Sequence, residues 1–494
     1  MARRRSFCLS LLVLLLCLGG CTSVLEESKT LSELPEIKAG TTCPMSDEQV
    51  EESFVATLCF PDSREDRLMR NSRTLTVHNG ETRAQVLLSA LLAGPQTGEK
   101  GEWPEVPGSS RARVEVSGES TTVLLPARYR NLEPEMLFTV RYAIAESFLT
   151  LPETAYVNVL VGDREEGVDL AGSVPAGTFT HRSQERIGTV YAEYGDIRSR
   201  EETFSGLVTL YYPSANGRFL LPVIRRVRFD SASPIEYMNS LLQELGKVGD
   251  IPGASADFPK PLTFLDEMPE IVRDHLGKDR VMTLVFSAEL PAALEAAGIS
   301  SELWIGMIAQ TLLTFVPGVD GLEISIGGEI IRQVPMETRE GVVTIDNGLI
   351  VRTHFEYLLG ASVTGYRRSE SEEGLTVFPM VVPAEGAEQA HVLLSALLDA
   401  PEAKPIMPEG ITGADVLAIR TERQRHVINL SQNFLEGLER MNPEDRRLCV
   451  YAMVNTLTGG RKDQVIFFFN GAQAGNMDGL EMRGSFTRAT GMIR

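Results

Sequence analysis

The sequence predicts an α+β chain of three tandem units, each a small mixed β-sheet with two helices packed on one face. Three observations predict it. The heptapeptide Val-Leu-Leu-Ser-Ala-Leu-Leu at residues 86–92 returns unchanged at 392–398, and a proline, Pro95 or Pro401, follows each copy. Identity of that length at long range marks a repeated unit. The heptapeptide also sits in a helical stripe, with Ala84, Leu87, Leu88 and Leu91 at i, i+3, i+4 and i+7, which is one apolar face. Ala390, Leu393, Leu394 and Leu397 repeat that phase, and Met238, Leu241, Leu242 and Leu245 give it a third time. The flanks are the third observation. Thr57-Leu58-Cys59-Phe60-Pro61 parallels Thr209-Leu210-Tyr211-Tyr212-Pro213, and Arg73 and Arg225 follow the two prolines at equal spacing.

The N-terminus reads as a processing signal over residues 1–21. Arg3-Arg4-Arg5 is a positive start, and Phe7 to Leu18 is an apolar run too short to span a bilayer. Leu18-Gly19-Gly20-Cys21 resembles a bacterial lipobox, which implies lipidation at Cys21. Each acyl chain contributes about 0.8 kcal/mol per buried methylene, so a multiply acylated cysteine anchors firmly. Residues 22–52 begin with a stretch rich in Ser, Glu and Lys and read as a tether.

The first unit spans 53–165. It reads as a strand ending at Pro61, a strand at residues 73–77, the stripe helix, and a hairpin across Ser117-Gly118-Glu119-Ser120. A helix from Pro134 to Leu149 and a strand from Tyr156 to Val161 complete it. After a linker at 166–204, the second unit covers 205–335. Asn216-Gly217 is its hairpin turn, and Ser233-Pro234 marks the start of its stripe helix. Its second helix, Trp304 to Phe315, contains Ala309-Gln310-Thr311-Leu312-Leu313-Thr314, which parallels Ala145-Glu146-Ser147-Phe148-Leu149-Thr150. This unit lacks a clean hairpin strand before Arg280 and carries extra sequence from Asp250 to Lys278. The third unit, 345–485, loses the threonine-to-proline signature. Leu349 to Leu358 and Leu375 to Val382 read as its opening strands, with a hairpin over 416–430, a helix at 445–457 and a last strand at 464–469.

Composition narrows the partners. A net charge of −20, more negative once the signal is removed, argues against nucleic acid. Six cysteines fall to Cys43, Cys59 and Cys449 when the signal residues and Cys21 are set aside. That is neither a disulfide framework nor a metal pattern. A Cys43–Cys59 bridge and buried thiols both fit.

The order lipobox, strand-aromatic-proline, strand with arginine, Leu-rich helix, hairpin, second helix and strand ending in glycine resembles the GerMN domain of GerM-type sporulation and spore germination lipoproteins. The match runs over most of the chain after Glu52, over Phe54 to Gly162, Leu207 to Gly328 and Val351 to Gly471. Members of the family commonly carry two such units, so three is a departure. The resemblance implies an anchored, non-enzymatic protein of an endospore-former, on the extracytoplasmic face of the membrane. It further implies protein partners in the cell envelope, including self-association, through a structural or interaction role.

No residue pattern points to chemistry. HExxH, GxSxG, Walker A and GxGxxG are all missing from the sequence. Gly360-Ala361-Ser362-Val363-Thr364-Gly365 has the second glycine one place late for a nucleophile elbow and reads as a strand turn. The six histidines are scattered, so catalytic, metal and cofactor residues are expected to be none. Glu81 and Glu388 open stripe helices, where carboxylates favour the dipole. Arg73 and Arg225 carry two readings, an ion pair inside each unit or an interface contact. The alternative function is an extracytoplasmic lipoprotein that binds a ligand such as a wall fragment. Sugar sites usually present aromatic platforms, yet the chain has only Trp103 and Trp304, which favours the interaction reading.

Overall fold

The structure is a computed structural model. It describes residues 52–494 except 79–80, 164–166, 170–176, 183–185, 195–202, 232, 248–250, 256, 275–276, 278–279, 317, 371–372, 388, 423–424 and 460–462. The signal, Cys21, Cys43, Glu388 and nearly all of the tether lie outside the described residues.

The first segment opens with a long antiparallel hairpin, β1 (Glu52–Asp62) and β2 (Arg67–Val77). Helix α1 (Arg83–Leu92) follows. The Thr82 hydroxyl accepts from the Gln85 backbone, and the Gln85 side chain accepts from Thr82 N, a reciprocal cap that satisfies two orphan donors. The buried residues of α1 are Ala84, Leu87, Leu88 and Leu91, the four that the spacing selects. Strands β3 (Arg113–Ser117) and β4 (Ser120–Leu125) form the next hairpin, helix α2 (Pro134–Phe148) crosses back, and β5 (Tyr156–Asp163) lies parallel to β4. No tight turn can join parallel neighbours, so a helix must carry the chain.

The second segment repeats this order. It holds β6 (Phe204–Pro213), β7 (Leu220–Phe229), α3 (Pro234–Leu245), β8 (Glu270–Arg273) and β9 (Arg280–Phe286). Two helices, α4 (Leu290–Ala297) and α5 (Ser301–Phe315), then lead to β10 (Gly321–Ile326), parallel to β9. Gly298 ends α4 at φ +65°, and the Ser300 hydroxyl caps α5 at Leu303 N, so the chain bends by 105° between them. The third segment has β11 (Gly360–Arg368), β12 (Leu375–Pro383), α6 (Ala390–Asp399), β13 (Val416–Glu422), β14 (Arg425–Leu430), α7 (Gln432–Arg440), α8 (Pro443–Thr458) and β15 (Gln464–Phe469). Strands β14 and β15 are again parallel. Each segment has its own large apolar core.

Several expectations are corrected. The opening hairpins form separate two-stranded sheets rather than joining the three- and four-stranded ones, so each segment has two principal sheets, and its stripe helix and crossover pack between them. Strand β8, inside the extra sequence 250–278, supplies the hairpin partner of β9. Its exposed, charged ends hide it from a pattern search. Residues 349–358 are not a strand: Arg352–Leu358 turn as a 3₁₀ helix. Arg352, Phe355 and Leu358 are its buried residues, and their spacing of three suits that helix. In α6, Leu398 is buried and Leu393 only partly so. Ser233 stands at the N-cap of α3, but its hydroxyl caps nothing.

Three straps close the sheets, the first of them inside the stretch 166–204 read as a linker. After each last strand a short strap returns and adds one antiparallel bridge at that strand's second residue: Phe179 on Val157, Ile350 on Leu322 and Phe486 on Val465. A polar side chain of the crossover helix then holds the strap backbone. Glu146 accepts from Arg182 N at 3.1 Å, Gln310 donates to Arg352 O at 2.9 Å, and Asn455 accepts from Ala489 N at 3.0 Å.

Candidate interaction site

The side chains of β3, β4 and β5 alternate across the first sheet. Val123, Leu125, Val157, Val159 and Val161 face the core of their own segment. Arg113, Glu115, Ser117, Thr122, Leu124, Asn158 and Leu160 share the outer face by parity and register. Those outer residues meet the second segment, the strap that follows it or the start of β11. Leu124 and Leu160 belong to the apolar core of the second segment. Asn158 donates to Thr209 Oγ1 at 3.1 Å and accepts from Thr178 Oγ1 at 2.8 Å. Ser117 Oγ donates to Gly360 O. At the seam, Thr178 N donates to Leu207 O at 3.0 Å. Gly177, at φ +83°, lies so close that a Cβ there would stand 2.5 Å from Phe315 and 2.7 Å from Leu207 O, which only glycine permits.

The polar centre of this interface is Arg352, which is fully buried. Its Nη1 donates to both carboxylate oxygens of Glu115, at 2.9 and 2.7 Å, while Nη2 reaches Tyr211 Oη at 3.2 Å and Nε reaches Thr314 Oγ1 at 3.2 Å. Beside it, Arg113 makes a two-pronged pair with Glu356 at 3.1 and 3.2 Å. Guanidinium suits such forked contacts. Burial alone would lower the Arg352 pKa, but Glu115 and Tyr211 hold it above its ordinary value, so the charge stays on. Removing either member of a buried pair strands the other in a dry site. A third ionic contact, Arg130 to Asp320 at 3.6 Å, ties the same two segments.

Arg73 and Arg225 occupy equivalent registers, opposite Ala56 and Val208. Arg73 pairs with Glu99 and donates to Ala90 O at 3.2 Å and Gly94 O at 3.1 Å, which satisfies the C-terminal carbonyls of α1. The Arg225 guanidinium faces the Tyr212 hydroxyl, which itself reaches Glu244 O at the end of α3. Both therefore brace the hairpin against its stripe helix inside one segment. Arg352 escaped the sequence reading because its partners Glu115 and Tyr211 lie 237 and 141 residues away.

Cys59 and Cys449 are free, buried thiols; burial pushes Cys59 up to about 11. Ser362 lies within β11, opposite Val381. Glu81 accepts from His78 N. Trp304 is buried, with Nε1 donating to Pro259 O at 2.9 Å, so it offers no platform. Among the described residues no three His, Cys, Asp or Glu side chains gather as a metal site, and no single helix is long and apolar enough to cross a membrane.

Paired small sheets, crossover helices and a polar inter-segment seam define the class of a tandem α/β module. Residues 362–475 match the Germane family model, described as sporulation and spore germination, and over that stretch the chain is similar to that family. Among solved structures it is similar to the tandem GerMN domains of the sporulation protein GerM from Bacillus subtilis. There it shares 15% identity over 61% of this chain and 99% of that one, with a TM-score of 0.23. It is also similar to a putative lipoprotein from Clostridium perfringens, at 16% identity over 22% of this chain and 74% of that one, with a TM-score of 0.15. No curated protein matches the chain.

Proposed function

We propose that this chain is a lipid-anchored, non-catalytic protein of sporulation or spore germination, working as a structural or protein-interaction component of an envelope assembly. On this reading all three segments are copies of the Germane unit, the lipid sits on Cys21, and the partners are envelope proteins or further copies of the chain. The observation that carries it is the outer face of the first sheet, where strands, strap and charge pairs serve contact between units. The recurrence of the strap bridge in all three segments supports counting three copies, and the arrangement of Leu18-Gly19-Gly20-Cys21 supports the anchor. The test is detergent phase partition of the chain expressed in an endospore-forming host, with mass analysis of the mature N-terminus. The wild type enters the detergent phase carrying acyl chains on Cys21, and Cys21→Ala stays in the aqueous phase. Aqueous partition of the wild type would remove the anchor from the proposal.

A further inference from the structure

The contact between the first two segments has a counterpart that is only half filled. Register carries the outer face of the first sheet onto the second: Glu115 opposes Thr122, and Glu270 opposes Thr283 at the same place. By register the matching outer residues of the second sheet are Glu270, Val272, Thr283, Val285, Glu323, Ser325 and Ile330, with Met268 two residues ahead of Glu270. In the first sheet this face is covered. In the second it is open, with Met268 82%, Val272 40% and Ile330 41% exposed, and Glu270 is exposed with no ion pair among the described residues.

The receiving side recurs as well. Counting from the strap bridge, Arg352 stands two residues after Ile350, and Arg488 stands two after Phe486. Arg352 Nη2 donates to Tyr211 Oη at 3.2 Å; Arg488 Nη2 donates to Tyr366 Oη at 3.1 Å. Tyr211 lies two residues before the end of β6, and Tyr366 two before the end of β11. Thr209, sealed beneath Asn158 in the first contact, corresponds to Thr364, which is exposed. One element is missing. Arg352 has Glu115, whereas Arg488 has no carboxylate partner among the described residues, and its buried Nε has no hydrogen-bond acceptor. A buried guanidinium N–H without an acceptor is costly.

We propose that the open outer face of the second sheet docks on the third segment of another copy of this chain, with Glu270 taking on Arg488 the place that Glu115 takes on Arg352. The occupant is argued from the interface already built inside the chain: the same register, the same strap arginine, the same tyrosine. Apolar exposure at Met268, Val272 and Ile330 supplies the area, and the unmatched Glu270 and Arg488 supply charge complementarity. Because the two surfaces differ, the contact is head-to-tail, and repetition gives a ring or a filament. This rests on the interaction reading above and names its partner.

The test is light scattering across a concentration range on the chain from Thr22 to Arg494, which keeps every described residue. The wild type self-associates, and Glu270→Arg and Arg488→Glu each weaken association by at least ~100-fold through like-charge contact. The double variant, with the charges exchanged, restores it. Thermal melts that match the wild type show that the variants are folded. A wild type that stays monomeric, a single reversal that leaves the mass unchanged, or a double variant without rescue overturns the proposal. Acylation and detergent partition at Cys21 are read separately, so a monomer with an anchored lipid would sink this contact alone.

Discussion

Arg352 and Glu115 are joined by two hydrogen bonds from one nitrogen, at 2.9 and 2.7 Å, across 237 residues of sequence. The pair binds the edge strand of the first sheet to the strap of the second segment in a site where Arg352 has no exposure. Its removal is therefore a direct probe of the seam. Glu115→Ala leaves the guanidinium charged and unpaired, and is expected to cost about 3–5 kcal/mol. Urea denaturation checks this, with a lowered midpoint expected and an unchanged one excluding the seam as a source of stability.

Leu88→Asp places a carboxylate among Leu87, Leu91 and the core of the first segment, where Leu88 is 3% exposed. No partner is available there, and burying an unpaired charge is prohibitive. The expected outcome is loss of the first segment's cooperative melt, followed by near-ultraviolet circular dichroism. A retained melt would show that α1 is not the core helix of its segment.

Glu146 is raised above the ordinary carboxylate range, first by burial, with Arg182 N, His181 and Arg70 opposing. A raised native pKa means that the folded state holds its proton longer than the unfolded one. The wild type then loses stability as pH climbs from the ordinary glutamate value through the raised one. Glu146→Gln, which copies the residue that Gln310 supplies in the second segment, removes that dependence. Parallel pH series of thermal midpoints for the two proteins are expected to diverge across this window; identical slopes would contradict the burial of Glu146.

Glu99 shows the opposite sign. Arg73 holds its carboxyl below the ordinary value, so the stabilisation is present above the unfolded pKa and is lost as pH falls through the folded one. Glu99→Gln is expected to narrow the acid-side loss of stability seen in the wild type, measured by the same midpoints in acid.

Thiol chemistry gives an independent check on packing. Cys59, pushed up to about 11, and Cys449, pushed further still by burial, are both sealed from solvent. Iodoacetamide at pH 8 is expected to leave both unmodified in the folded chain and to label both in urea, as read by peptide mass. Fast labelling of Cys59 in the native state would open the core of the first segment to question.

Much of the architecture is legible in the residues because local periodicity carries it. The stripe of Ala84, Leu87, Leu88 and Leu91, the turn at Asn216-Gly217 and the helix starting at Pro134 all rest on neighbours within a few positions. What stayed hidden depends on contacts distant in sequence. Strand β8 has charged ends because it is a sheet edge, and its four residues pair only with Arg280 to Thr283 of β9. The straps bring single residues, Phe179, Ile350 and Phe486, to strands already read, and one bridge leaves no repeating pattern. Arg352 looked like an ordinary charged residue in an apolar stretch, since nothing local announces Glu115 or Tyr211. Its one local trace is the spacing Arg352, Phe355, Leu358, which marks a three-residue turn rather than a strand.

The measurement that bears most directly on the central claim is the yield of heat-resistant, germination-competent spores from the source organism after in-frame deletion of this chain. The account predicts a defect that the wild type restores and that neither Cys21→Ala nor Leu88→Asp restores, since one loses the anchor and the other the first segment. A deletion strain that forms and germinates spores at the wild-type level would contradict it.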